Sequence, residues 1–204
     1  MKVCILDYGS GNVASVYNMI KFLGYECKVT NETKYIKNSS HIILPGVGSY
    51  AAAMKKLKKA VNLDELEIEV IKKKKPFLGI CVGMQILSSF GFEFEESKGL
   101  NWIPGVVKKI QNKKLPHIGW NNINIKKESN LLNKIDPDHN FYFVNSYHLI
   151  PDNKENVIAT TNYKQDICSI IQKKNIVGVQ FHPEKSQKSG QLLLKNFLNK
   201  KMDI

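Results

Sequence analysis

Apolar runs and turn residues alternate along this chain at short, regular intervals. Residues 2–6 are apolar over strand length and lead into Gly9-Ser10-Gly11. Residues 13–23 carry apolar positions at helical spacing and stop at Gly24. Residues 27–30 and 41–44 read as strands, the second ending at Pro45-Gly46. Helical patterns follow at 50–59 and 63–73, then a strand at 77–80 and a helix-compatible run at 82–90. This order predicts a parallel sheet with helices on both faces. Beyond Gly99 the texture changes: 105–110, 121–126, 141–145, 157–162, 167–172 and 176–180 are short and strand-like, separated by turn residues. Residues 187–199 read as a closing amphipathic helix, its apolar face built from Leu192, Leu193, Leu194, Phe197 and Leu198. The expectation is an α/β fold, a mostly parallel sheet flanked by helices, with a β-rich second half. No repeat, low-complexity block or linker interrupts it, so residues 1–204 are expected to form one domain.

Composition narrows the classes. A length of 204 residues and a hydrophobic fraction of 43% suit a globular core. No apolar run reaches the about 18 residues of a membrane span, and the first apolar run is too short for a signal peptide. Cys4, Cys27, Cys81 and Cys168 are scattered, with no C-x-x-C pair, which fits a reducing cytoplasm better than a disulfide framework or zinc site. His41, His117, His139, His148 and His182 show no ligand spacing, so neither metal nor cofactor is expected. The Gly9-Ser10-Gly11 turn resembles the start of a phosphate loop but lacks the later glycine and the lysine.

A net charge of +12 invites a nucleic-acid reading. Against it, all 30 basic residues are lysine, and nucleic-acid recognition leans on the arginine fork. Lysine excess beside 20 asparagines looks like AT-rich coding, and the lysine clusters fall on helix faces and ends. The charge is better suited to steering an acidic partner or a phosphorylated substrate.

One segment carries chemistry. In Gly79-Ile80-Cys81-Val82-Gly83 a strand runs into a helix with small residues two before and two after the cysteine. That is the layout of a nucleophile elbow. It sets the thiol at a helix N-terminus, where free N–H groups favour the thiolate. A buried structural cysteine is the alternative. A second segment, Gly178-Val179-Gln180-Phe181-His182-Pro183-Glu184-Lys185-Ser186, places a histidine and a glutamate just past a strand end. Cysteine catalysis needs such a base and an orienting partner for it. Ligands of open α/β sheets bind beyond the carboxyl ends of the strands. Asp7-Tyr8-Gly9, Pro45-Gly46-Val47-Gly48, Cys81 and His182 all follow expected strands and can converge there.

These two segments resemble the class I, triad-type glutamine amidotransferases. Four more narrow the resemblance: Asp7-Tyr8-Gly9-Ser10-Gly11-Asn12, Leu44-Pro45-Gly46-Val47-Gly48, Pro116-His117-Ile118-Gly119-Trp120-Asn121 and Phe143-Val144-Asn145-Ser146-Tyr147. In order, and over nearly the whole chain, they are similar to the glutaminase subunits of imidazole glycerol phosphate synthase. The resemblance implies that Cys81 attacks the amide of L-glutamine, His182 is its base and Glu184 orients His182. Val82 follows the nucleophile, and its N–H is one oxyanion donor. The second is implied to be the N–H of Val47 after a peptide flip, for which Gly46 and Gly48 give backbone freedom. Gly48, Gln85, Glu93, Ser146 and Tyr147 are implied to line the glutamine pocket, with Glu95 and Glu96 close enough to compete with Glu93. Ammonia would pass to a cyclase subunit, a (β/α)8 barrel, in a heterodimer of histidine biosynthesis. Asn12, Pro116, Ile118, Gly119, Trp120 and Lys185 are implied to face that barrel, though Trp120 also reads as core. Asn145 departs from the pattern, where histidine is more usual. Other readings stay open: a paralogue feeding ammonia to amidino-sugar synthesis, a silent scaffold, or a cysteine peptidase.

Overall fold

A computed structural model describes residues 2–136 and 138–199. In chain order the first half runs β1 (Lys2–Leu6), α1 (Val13–Phe22), β2 (Glu26–Thr30), α2 (Thr33–Asn38), β3 (His41–Gly46), α3 (Tyr50–Ala60) and α4 (Leu63–Glu67), which passes into a π-helical turn at Ile68–Lys72. Next come β4 (Phe77–Cys81), α5 (Val82–Gln85), β5 (Phe90–Glu93), β6 (Glu95–Lys98) and β7 (Gly105–Lys109). The second half holds β8 (His117–Asn122), β9 (Asn124–Ile125), β10 (Asn140–Asn145), β11 (Tyr147–Pro151), β12 (Val157–Asn162), β13 (Asp166–Lys173), β14 (Ile176–Val179) and α6 (Gln187–Asn199).

The main sheet has the order β2-β1-β3-β4-β14-β13-β12-β9. Its first five strands are parallel and the last three join antiparallel. β3, β4 and β14 are buried along their whole length, as apolar strands covered on both faces are. Two smaller sheets, β10-β8 and β11-β7-β5-β6, build the β-rich half. The closing helix buries Leu193, Leu194, Phe197 and Leu198.

Several elements differ from the expectation. The run at 82–90 is helical only to Gln85. The N–H groups of Leu100 and Ile103 return to the carbonyls of Ile86 and Leu87, and the chain leaves into the β5-β6 hairpin. The strand expected at 121–126 starts at His117, where it pairs with Asn145 of β10. The 63–73 helix widens into its π turn around a buried carboxylate, Glu69, which binds Lys73 at 2.6 Å and Lys75 at 2.8 Å. The helix α2 and the strands β5, β6 and β11 were not expected at all.

Candidate active site

The parallel strands β1, β3, β4 and β14 lie side by side and end on one edge. β4 ends at Cys81, which stands opposite Gly46 of β3. The cysteine takes φ 55° and ψ −112°, a conformation L residues avoid, so the chain turns sharply from strand to helix. The turn closes only because its neighbours are glycines. A Cβ at Gly79 would lie 2.5 Å from the Gly83 carbonyl oxygen, and one at Gly83 2.0 Å from that of Leu44.

Three groups meet at the Cys81 sulfur. The Val144 carbonyl oxygen is 3.9 Å away, the Gln180 side-chain nitrogen 3.8 Å away, and His182 lines the same cavity close enough to interact with it. His182 is buried and fixed from below: its N–H donates to the Tyr142 carbonyl at 2.9 Å, and its own carbonyl accepts from the Ser186 hydroxyl at 2.6 Å. Its Nδ1 lies 2.8 Å from Glu184 Oε1, and both side chains are at most 5% exposed. Burial works against a charged imidazole, but the hydrogen bonds and charges of Cys81 and Glu184 outweigh it and push the His182 pKa up to about 10. Asn12 reaches the same glutamate oxygen at 3.5 Å, while Glu184 Oε2 is buried with no partner among the described residues.

A cavity of about 500 Å³ opens over the sulfur. Val47, Gly48, Gln85, Glu93, Pro116, Ser146, Tyr147, Lys185 and Val82 line it with Cys81 and His182. Glu184 stands behind His182. The remaining residues singled out in the sequence lie outside: Asn12 under the glutamate, and Ile118, Gly119 and Trp120 along β8. Trp120 is 49% exposed and packs edge-on against Tyr142, so it is not a core residue. Lys185 holds its ammonium 5.9 Å from the same Tyr142 ring. Glu93 lines the cavity and Glu95 and Glu96 do not; its Oε2 accepts from the Tyr50 N–H at 2.8 Å, at the start of α3.

Both glycines of the Pro45–Gly48 turn have a structural reason to be glycine. Gly48 has φ +89°, a conformation glycine adopts without strain, and open space around it. At Gly46 a Cβ would lie 2.4 Å from the Gly83 nitrogen, so the elbow helix packs directly on it. Val47, between them, is exposed, and its carbonyl accepts from the Ser10 hydroxyl at 2.8 Å.

The sequence reading missed three features of the site. Phe94, at the β5-β6 tip with φ +65°, is 90% exposed beside Glu93. Ser10 ties the β1 loop to Val47. Gln180 sits wholly buried beside the sulfur; its only signal was one polar residue at the end of an apolar strand.

The glutamine amidotransferase class-I family model matches residues 4–201. The imidazole glycerol phosphate synthase subunit HisH of Pelagibacter ubique is 45% identical, covering 98% of this chain and 100% of its own. HisH 2 of Methanococcus maripaludis is 42% identical, covering 96% and 98%. Among solved structures, a glutamine amidotransferase superposes with a TM-score of 0.76 at 16% identity, over 97% of both chains, a likeness of fold.

Proposed function

The chain belongs to the class-I glutamine amidotransferases, and we propose that it is the glutaminase subunit of imidazole glycerol phosphate synthase in histidine biosynthesis. It works as one glutamine amidotransferase domain, in a heterodimer with a (β/α)8-barrel cyclase subunit. Cys81 loses its proton to His182 and attacks the side-chain amide carbon of glutamine. The tetrahedral intermediate collapses as His182 returns that proton to the departing ammonia. Water then attacks the glutamyl thioester, His182 again taking the proton, and glutamate leaves. Glu184 orients His182 and stabilises the imidazolium. The N–H groups of Val82 and Val47 hold the oxyanion, a contribution of several kcal/mol for donors of this kind. Gly48, Gln85, Glu93, Ser146 and Tyr147 receive the glutamine body.

The observation that carries this reading is the Cys81–His182–Glu184 row, with a 2.8 Å His–Glu contact behind a strained elbow cysteine. A silent scaffold has no use for that strain. The exposed face of Ile118 and Trp120, with Pro116 and Lys185 at the cavity rim, supports docking of the cyclase there, Asn12 at its edge. The four free cysteines suit a reducing compartment such as the cytoplasm. Among the described residues no helix is long and apolar enough to cross a membrane. The test is glutamate release from purified chain, alone and with a histidine-pathway cyclase subunit. Absence of turnover in both would overturn the reading; stimulation by a sugar-pathway partner instead would move the acceptor, not the chemistry.

A further inference from the structure

Gln180 is wholly buried just beyond β14, and the chemistry above gives it no task. Its neighbours fix which end of its amide is which. Gln85 Nε2 lies 2.9 Å from the Tyr147 carbonyl oxygen. A carbonyl oxygen only accepts, so the group facing it is the Gln85 NH2. That same NH2 lies 3.1 Å from the Gln180 side chain, so the atom it meets is the Gln180 oxygen. The opposite end of the Gln180 amide is then its NH2, and this is the group 3.8 Å from Cys81 Sγ. The reverse assignment would set two NH2 groups face to face inside the core. Sulfur is therefore the acceptor.

We propose that Gln180 is a further catalytic residue, a neutral donor whose side-chain NH2 stabilises the Cys81 thiolate. A donor to the charged form favours that form, and such bonds tighten as the acceptor gains charge. The other groups around the sulfur are known. His182, backed by Glu184, favours the thiolate; the Val144 carbonyl favours the thiol; the buried Tyr8 is near enough to feel the sulfur's charge, and Glu93 and Lys185 line the cavity. Gln85, held by Tyr147, keeps the donor aimed. The row Tyr147–Gln85–Gln180–Cys81 thus links the cavity wall to the nucleophile. The inference rests on Cys81 as the proposed nucleophile, so the test reads the thiolate directly.

Gln180→Met and Gln180→Leu remove the donor with two different shapes. In the full-length chain, alkylation of Cys81 by iodoacetamide is followed against pH, resolved by peptide from Cys4, Cys27 and Cys168. The alkylation midpoint is expected to rise by about one pH unit in both variants, the effect of one hydrogen bond to a charged group. Glutaminase kcat is expected to fall about tenfold near neutral pH, with KM held and the deficit shrinking as pH rises. An unchanged midpoint in a folded variant overturns the proposal, as does a pH-independent deficit. If neither variant folds, the Gln180 side-chain amide resonance of the wild-type chain is titrated instead. It must move with the Cys81 midpoint, and a resonance that stays fixed overturns the proposal. A chain that never hydrolyses glutamine would refute the glutaminase reading while the midpoint still decides the role of Gln180.

Discussion

Only Pro183 separates His182 from Glu184 in sequence, and their side chains meet at 2.8 Å inside the protein. The pair is held by β10, whose Tyr142 carbonyl and N–H bind His182 N–H and the Ser186 hydroxyl. His182→Asn is expected to lower kcat/KM for glutamine by about 10²–10⁴, the usual worth of a positioned base. Glu184→Gln is expected to lower it less, because the hydrogen bond survives and only the charge is lost. The stability effect has a sign. A pKa raised in the folded state stabilises below the unfolded value near 6.5 and fades as pH climbs through about 10. Glu184→Gln should therefore be most destabilising in mild acid and near neutral at pH above 10. Urea titrations at several pH values check this; a deficit that grows with pH contradicts it.

Strain at Cys81 gives a second expectation. A side chain at φ 55°, ψ −112° carries on the order of 1–3 kcal/mol of backbone strain, which glycine does not. Cys81→Ala is expected to abolish glutamine hydrolysis with the strain intact. Cys81→Gly should also be inactive yet more stable than Cys81→Ala by about 1 kcal/mol or more. With a cyclase partner, ammonium-fed synthesis should survive in both. Denaturant midpoints compare the two variants, and an Ala variant more stable than the Gly variant would remove the strain argument.

The parallel half of the fold and the elbow were legible because they are local. An apolar run ending at a glycine turn is enough to read β1, β3 or β4. The Cys81 and His182-Pro183-Glu184 segments sit at strand ends, where position alone brings them together. What stayed hidden depends on distant partners. Ile86 and Leu87 continue a helical pattern, but Leu100 and Ile103 claim their carbonyls. α2 buries only Ile36 and so shows no periodicity. Glu69 looks like a surface carboxylate until Lys73 and Lys75 enclose it. Gln180 finds its partners 95 and 99 residues away, beyond any spacing rule.

Buried histidines predict acid sensitivity. Burial lowers His41 and His148 to about 4, and it lowers His117 as well. His41 packs edge-on against Phe197, and His148 Nδ1 has no partner among the described residues. Between pH 6.5 and 4 the unfolded chain binds protons that the folded chain refuses. Stability must then fall with pH, by about 1.4 kcal/mol per unit for each such histidine. His148→Leu is expected to flatten the slope by about that amount, on top of a pH-independent loss of about 1 kcal/mol for the 3.0 Å bond between Gln165 and His148 Nε2. Chemical unfolding from pH 8 to pH 4.5 measures it; an unaltered slope in the variant rules His148 out as a source.

Coupling to the partner can be tested at Ser10. Its hydroxyl holds the Val47 carbonyl in the chain alone, and Val47 lies exposed at the cavity mouth beside the proposed docking face. The proposed oxyanion donor is the N–H of that same residue, so whatever holds its carbonyl restrains the turn. A missing oxyanion donor lowers kcat by about 10²–10³, and the isolated chain is expected to trail the complex bearing an acceptor analogue by that factor. The Ser10 bond stabilises the resting arrangement by an ordinary hydrogen bond's worth. Ser10→Ala is therefore expected to raise the isolated chain's rate about fivefold and to compress the stimulation ratio equally. The peptide bearing that N–H joins Gly46 to Val47 and turns about the Gly46 ψ; Gly48 leaves the turn at φ +89°, which a side chain strains, so Gly48→Ala should lower the stimulated rate instead. Steady-state glutamate release is measured for each chain alone, with partner, and with partner plus acceptor analogue. Equal rates in all three conditions for the wild type would refute the switch. A Ser10→Ala chain slower than wild type when alone would show that the tie holds the donor in place rather than back.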